Sequence, residues 1–222
     1  MRLTSLVPAA FVLCCAWPAS AQEWIEYTSP VDLFSVNFPG QPTVRDITYS
    51  TEFGLTLPGR VHGYDQGASR YSVTVVDYGN VQKLHAARLV NCDKYPNLCG
   101  NPWVGELRGA MDYAVRAFLR RDARVTDYAY NNTERIEGRR IQLLNADRSQ
   151  TFVMIHMHEN RLYILEGTTA AGAPPPGLFQ QSLGFVDRDG FRVRYDTAYS
   201  NAYPPPPRVQ YPGMPAATRP AP

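Results

Sequence analysis

TFVMIHMHENRLYILEG, residues 151–167, decides how this chain folds. Residues 151–158 and 161–166 are two runs rich in aliphatic, β-branched and aromatic side chains, separated only by Glu159-Asn160. Two extended runs joined by two residues read as a β-hairpin with a tight turn. The domain is therefore expected to grow around an antiparallel sheet.

The segments on either side add to that sheet. Residues 125–130 and 139–145 carry further strand patterns, and Phe34-Ser35-Val36-Asn37-Phe38 alternates strictly between apolar and polar. Residues 70–78 are again β-branched and aromatic, so residues 23–78 are expected to form an antiparallel meander. Pro39-Gly40-Gln41-Pro42 and Pro58-Gly59 supply its turn signals, because proline fixes φ and glycine admits positive φ.

Helical periodicity appears once at length. Trp103, Leu107, Ala110, Met111, Ala114 and Phe118 fall within a stripe about 100° wide at 3.6 residues per turn, with Asn101 placed to cap the helix and Pro102 to start it. The pattern predicts a helix over residues 102–121 lying on the sheet. Shorter helices are expected over residues 83–90 and 178–183. The fold class that follows is α+β, a central antiparallel sheet flanked by helices on its faces.

The two ends of the chain differ from its middle. Arg2, an apolar stretch over residues 6–17 and Ala19-Ser20-Ala21 make residues 1–21 a cleavable signal peptide, since signal peptidase admits only small side chains at its cleavage pocket. The apolar run is shorter than the ~20 residues a helix needs to cross a bilayer, and no later stretch reaches that length. A periplasmic or secreted protein with no integral membrane segment after cleavage is expected. Residues 22–195 form the folded domain. From residue 196 to 222 proline recurs among small residues, including Pro204 to Pro207 in a row, and the segment is expected to be disordered, with too little apolar surface to offset its ordering entropy.

Removing Arg2 leaves 21 basic against 20 acidic side chains, a net charge of +1. So balanced a chain has no long-range field to recruit nucleic acid. Only Cys92 and Cys99 survive signal cleavage, and in an oxidising compartment they read as a disulfide. Closing so short a loop contributes roughly 2 to 3 kcal/mol in the chain-entropy model.

Phe34-Ser35-Val36-Asn37-Phe38-Pro39-Gly40, the later Asn160-Arg161-Leu162-Tyr163-Ile164-Leu165-Glu166-Gly167 and the closing Leu178-Phe179-Gln180-Gln181-Ser182-Leu183-Gly184-Phe185 together resemble the PsbP-like αβα sandwich. That superfamily includes photosystem extrinsic subunits, a Ran-binding nuclear-transport factor and bacterial envelope proteins. The resemblance spans residues 23–186 and rests on core and turn positions, so it carries over no functional residue. It implies a non-enzymatic binding or assembly-accessory role without assigning a partner; an envelope protein is the partner expected for an exported chain.

Chemistry is sparsely signalled. His156 and His158 sit two apart on an expected strand, so both leave one face and with a third ligand would suit zinc, copper or nickel; the alternative is that both point to solvent or to cross-strand neighbours. Glu159 lies in the adjacent turn, and the sequence does not place His62 and His85. Neither G-x-S-x-G nor H-E-x-x-H occurs, so no catalytic residue is assigned. Gly167 to Ala173 lacks the Gly-Lys-Ser/Thr of a phosphate cradle, and no cofactor is expected. Tyr113, Tyr128 and Tyr130 fall on elements whose two faces cannot both be buried, which suits contact with a protein. Two functions result: an exported binding or assembly-accessory protein, or a periplasmic metal- or small-ligand-binding protein centred on His156 and His158.

Overall fold

The computed structural model describes residues 24–89, 100–201 and 204–209. The expected signal peptide and the Cys92–Cys99 pair lie outside these residues.

The chain opens with a hairpin, β1 (Ile25–Ser29) and β2 (Phe34–Phe38). After the Pro39–Pro42 turn it changes layer. Strands β3 (Thr43–Ser50), β4 (Thr56–Gln66) and β5 (Ser69–Asp77) meander along one side of a second sheet. Two helices follow, α1 (Val81–Arg88) and α2 (Pro102–Leu119). Four more antiparallel strands then complete the large sheet: β6 (Ala123–Thr133), β7 (Ile136–Asn145), β8 (Gln150–His158) and β9 (Arg161–Thr169). A short helix α3 (Gly177–Gln181) leads to β10 (Gly184–Phe185), which returns to pair with β2. The large sheet has seven strands in the order β3-β4-β5-β9-β8-β7-β6, and the small one three in the order β1-β2-β10.

This architecture corrects the expected helix-flanked α+β sandwich: the chain is β-rich, built on two antiparallel sheets. One face of the large sheet does meet helices, where Ala110, Met111, Ala114, Val115 and Phe118 of α2 pack on Ile141, Val153, Ile155 and Leu162. Its other face meets the small sheet, where Phe34, Val36 and Phe38 bury against Val73, Val75, Tyr163 and Leu165. The reason is physical. Alternation in residues 34–38 requires one buried face, but it does not distinguish a strand that extends a sheet from one that stacks upon it.

Local chemistry explains smaller departures. Pro58 and Gly59 lie inside β4 and make no turn. Pro58 pairs only with Thr48 of β3, one position before β4 begins to pair with β5 at Gly59, so its missing N–H costs no ladder bond on that side. At the start of α2, Pro102 occupies the first turn as expected, but the Asn101 side chain makes no capping bond. Glu159 and Asn160 both take positive φ (45° and 58°), matching the right-handed twist of the β8–β9 hairpin.

Residues 196–201 and 204–209, expected to belong to a disordered segment, make contacts with the folded domain. Tyr199 bridges Ile136 and is 5% exposed. Asp196 N–H donates to Pro207 O, Val209 N–H to Arg194 O, and Arg208 pairs with Glu159 at the hairpin tip. Aromatic rings and arginines in this stretch supply docking contacts that its prolines conceal; the rest of the segment lies outside the described residues.

Candidate functional site

The strongest concentration of buried charge lies where the small sheet meets the β3–β4–β5 side of the large one. Pro30 to Leu33 joins β1 to β2, and its Asp32 is 5% exposed. Leu33 takes φ 59°, a left-handed conformation that a branched, buried side chain rarely adopts. Backbone strain of this kind persists only where the surroundings over-determine it. Here they do: Tyr163 Oη–H donates to Asp32 O at 2.9 Å, and Val186 N–H donates to Leu33 O at 3.1 Å.

Asp32 is thereby aimed at β4. Alternation puts Arg60 and His62 on the same face of that strand, and both reach the carboxylate. Arg60 donates from Nε at 3.0 Å and Nη2 at 2.5 Å to Oδ1, a fork that holds the group in one orientation. His62 Nε2 lies 2.8 Å from Oδ2, and Tyr27 Oη lies 3.0 Å from His62 Nδ1. In the tautomer with its hydrogen on Nε2, the imidazole donates to Asp32 and accepts from the phenol at Nδ1. Burial pushes the Asp32 carboxyl up, but the hydrogen bonds from His62 and Arg60 outweigh it and hold the group below the usual carboxylate range.

The order hydroxyl, imidazole, carboxylate matches a nucleophile relay. Its electrostatics run the other way. Burial, and then the Asp32 charge, raise the Tyr27 phenol above its ordinary value, so the oxygen stays protonated. The relay ties β1 to β4 and fixes Asp32. Asp32→Asn keeps the shape but removes the charge both bases face; unfolding in urea is expected to show a loss of about 2 to 3 kcal/mol.

Beside this cluster opens a cleft of about 200 Å³, lined by Val31, Asp32, Asp46, Pro58, Gly59, Arg60, Val75, Asp77 and Arg161. Two larger depressions, of about 560 and 690 Å³, lie over the β4–β5 surface and the β5–β9 end. Neither contains a buried charged side chain.

His156 and His158 do share a face of β8, as their spacing implies, but both are fully buried in the core beneath Phe185. His156 Nδ1 meets Glu137 O at 3.1 Å and Nε2 meets Thr133 Oγ1 at 3.3 Å; His158 Nε2 meets Tyr195 Oη at 2.8 Å. Three of the four ring nitrogens are thus committed to protein partners, and His158 Nδ1 has none. Among the described residues no group of three His, Cys, Asp or Glu side chains is placed to hold a metal ion. His85 lies apart, 3.0 Å from the buried Glu106 where α1 packs on α2.

Of the tyrosines expected at a surface, Tyr128 (49% exposed) and Tyr130 (61%) stand on edge strand β6, while Tyr113 packs edge-on against Tyr49. Among the described residues no helix is long and apolar enough to cross a membrane. Neither Asp32 nor His62 was marked by the sequence: 30 positions separate them, and no local motif joins them. In comparisons with known proteins, the chain matches no protein-family model and no curated protein.

Proposed function

We propose that this is an exported, non-enzymatic binding protein of the cell envelope, holding a small charged ligand in the cleft beside Asp32. The observation that carries the reading is the preset charge. A strained loop and a forked ion pair fix Asp32 and Arg60 at the cleft wall, while Arg161 lines the same wall with a side chain that makes no ion pair or hydrogen bond among the described residues. Fixing charged groups before the ligand arrives lowers the ordering cost of binding. A phenol held protonated, with its ring packed on Phe34 and Phe38, favours a structural role for the relay over turnover.

The test is thermal unfolding of residues 22–222 against a panel of small anions, cations and zwitterions. A ligand at a hundredfold excess over its Kd is expected to stabilise the protein by about 2.7 kcal/mol. Arg161→Gln should remove that shift without altering the unliganded midpoint. A panel without any Arg161-dependent shift rejects the reading.

A second reading, docking of an envelope protein, is favoured by the outer strand of the sheet. Among the described residues β6 pairs with β7 alone, and Val125, Tyr128 and Tyr130, opposite Leu143, Ile141 and Arg139, are exposed at the margin of the face on which α2 packs. A partner captured from envelope extract should be lost with Tyr128→Ala, Tyr130→Ala together; retention by that variant rejects this surface.

A further inference from the structure

Resting on the cleft-binding reading, we propose that the ligand is a basic α-amino acid, a molecule with one carboxylate and two cationic nitrogens. Five ionisable side chains line the cleft: Asp32, Asp46 and Asp77 against Arg60 and Arg161, a net charge of −1 when all are ionised. Asp32 and Arg60 cancel in their own ion pair. Arg161, Asp46 and Asp77 enter no ion pair among the described residues, although Asp77 Oδ1 accepts the Gly79 N–H at 2.8 Å. One guanidinium and two carboxylates outside that ion pair favour the opposite signs in the ligand, one anion and two cations, so that each gains a partner on binding.

The strand register sets the spacing. Asp77 stands directly opposite Arg161 in the β5–β9 ladder, which places their side chains about 5 Å apart at Cβ. An ammonium and a carboxylate borne on one carbon fit between such neighbours. Asp46 is opposite Arg60, and Arg60 opposite Val75, so Asp46 lies two strands away from β5. At about 4.8 Å per strand that is about 10 Å sideways, with one further two-residue step of about 7 Å along β5 from Val75 to Asp77.

Residues 46, 60, 75, 77 and 161 share one face by the two-residue alternation of strands. The diagonal from Asp77 to Asp46 is too long for a single ammonium to serve both. Its length suits a second nitrogen at the end of an aliphatic stem. Pro58 and Val75, with Val31 at the rim, give that stem an apolar bed. A glutamate-like ligand would face Asp46 with like charge, and a neutral side chain would leave it unanswered.

Calorimetric titration of residues 22–222 with lysine and ornithine tests the assignment, with norleucine (no terminal amine), 1,5-diaminopentane (no carboxylate) and glutamate as comparators. Lysine or ornithine should bind at least tenfold more tightly than every comparator. Asp46→Asn should weaken only ligands that carry the terminal amine, and Arg161→Gln only those that carry the carboxylate. If norleucine or diaminopentane binds as well as lysine, or Asp46→Asn weakens all ligands alike, the assignment is overturned. Should a different charged compound bind in an Arg161-dependent way while lysine and ornithine do not, the ligand class falls and the cleft-binding reading stands. Binding by none of these compounds overturns the ligand class, and the absence of any Arg161-dependent shift across the wider panel of small ions removes the cleft-binding reading as well.

Discussion

Between pH 7 and pH 4 the protein is expected to lose about 6 kcal/mol of stability, because two histidines must be neutral in the folded core. Burial lowers His156 to about 4. Burial, then the positive charges of Arg208 and Arg161 and the neighbouring His156, lower His158 to about 3. In the unfolded chain both titrate near 6.5. Below that pH the unfolded state binds protons that the folded state refuses, so stability falls as pH falls. The contribution is whole above pH 6.5 and is lost across the window from 6.5 to about 4 for His156 and to about 3 for His158.

Each residue is expected to cost about 3 kcal/mol by pH 4, against a total of about 5 to 15 kcal/mol for an ordinary domain. Urea unfolding at half-unit pH steps measures the slope. His158→Phe, which keeps an aromatic ring among Phe185, Tyr195 and Tyr199, should flatten it by roughly half. An unchanged slope in that variant would place the acid sensitivity elsewhere.

Gly138→Ala is expected to destabilise the fold by about 3 kcal/mol, at the upper end of what one added methyl costs a packed core. A Cβ at position 138 would stand 2.6 Å from Ile155 O, a backbone atom held in the β7–β8 ladder, and would also strike the His156 ring. Relief requires the imidazole to leave Glu137 O and Thr133 Oγ1, stranding buried polar groups. Gly63→Ala is the comparison, since its Cβ would find its nearest neighbour, Tyr71 O, at 3.9 Å; there the expected change is within about 1 kcal/mol of zero. Chemical denaturation of both variants checks the contrast.

What could be read from residue order was whatever short-range physics controls. The Glu159-Asn160 hairpin and the stripe of α2 follow from neighbours two to four positions apart, and both occur in the structure. Layering was not readable in this way. Phe34, Val36 and Phe38 fit a strand inside a sheet as well as one stacked on it, and the choice depends on partners such as Val73 and Leu165, far along the chain. The candidate site was hidden for the same reason. Asp32 and His62 meet only because β4 passes beneath the β1–β2 loop, and the positive φ of Leu33 occurs at a residue type that gives no hint of it. The spacing of His156 and His158 correctly gave a shared face, but spacing carries no information about which face the core would claim.

The pairing of β2 with β10 also bears on how the chain reaches this structure. The small sheet takes two strands from residues 25–38 and its third from residues 184–185, while β5 waits for β9 some ninety positions later. Such long-range closures raise contact order, and folding slows toward the millisecond-to-second range because loop entropy is spent before the contacts repay it. Neither core can close on a growing chain until nearly the whole domain has been synthesised. Until then Phe34, Val36 and Phe38 lack most of the surface they bury against, and the emerging chain stays open.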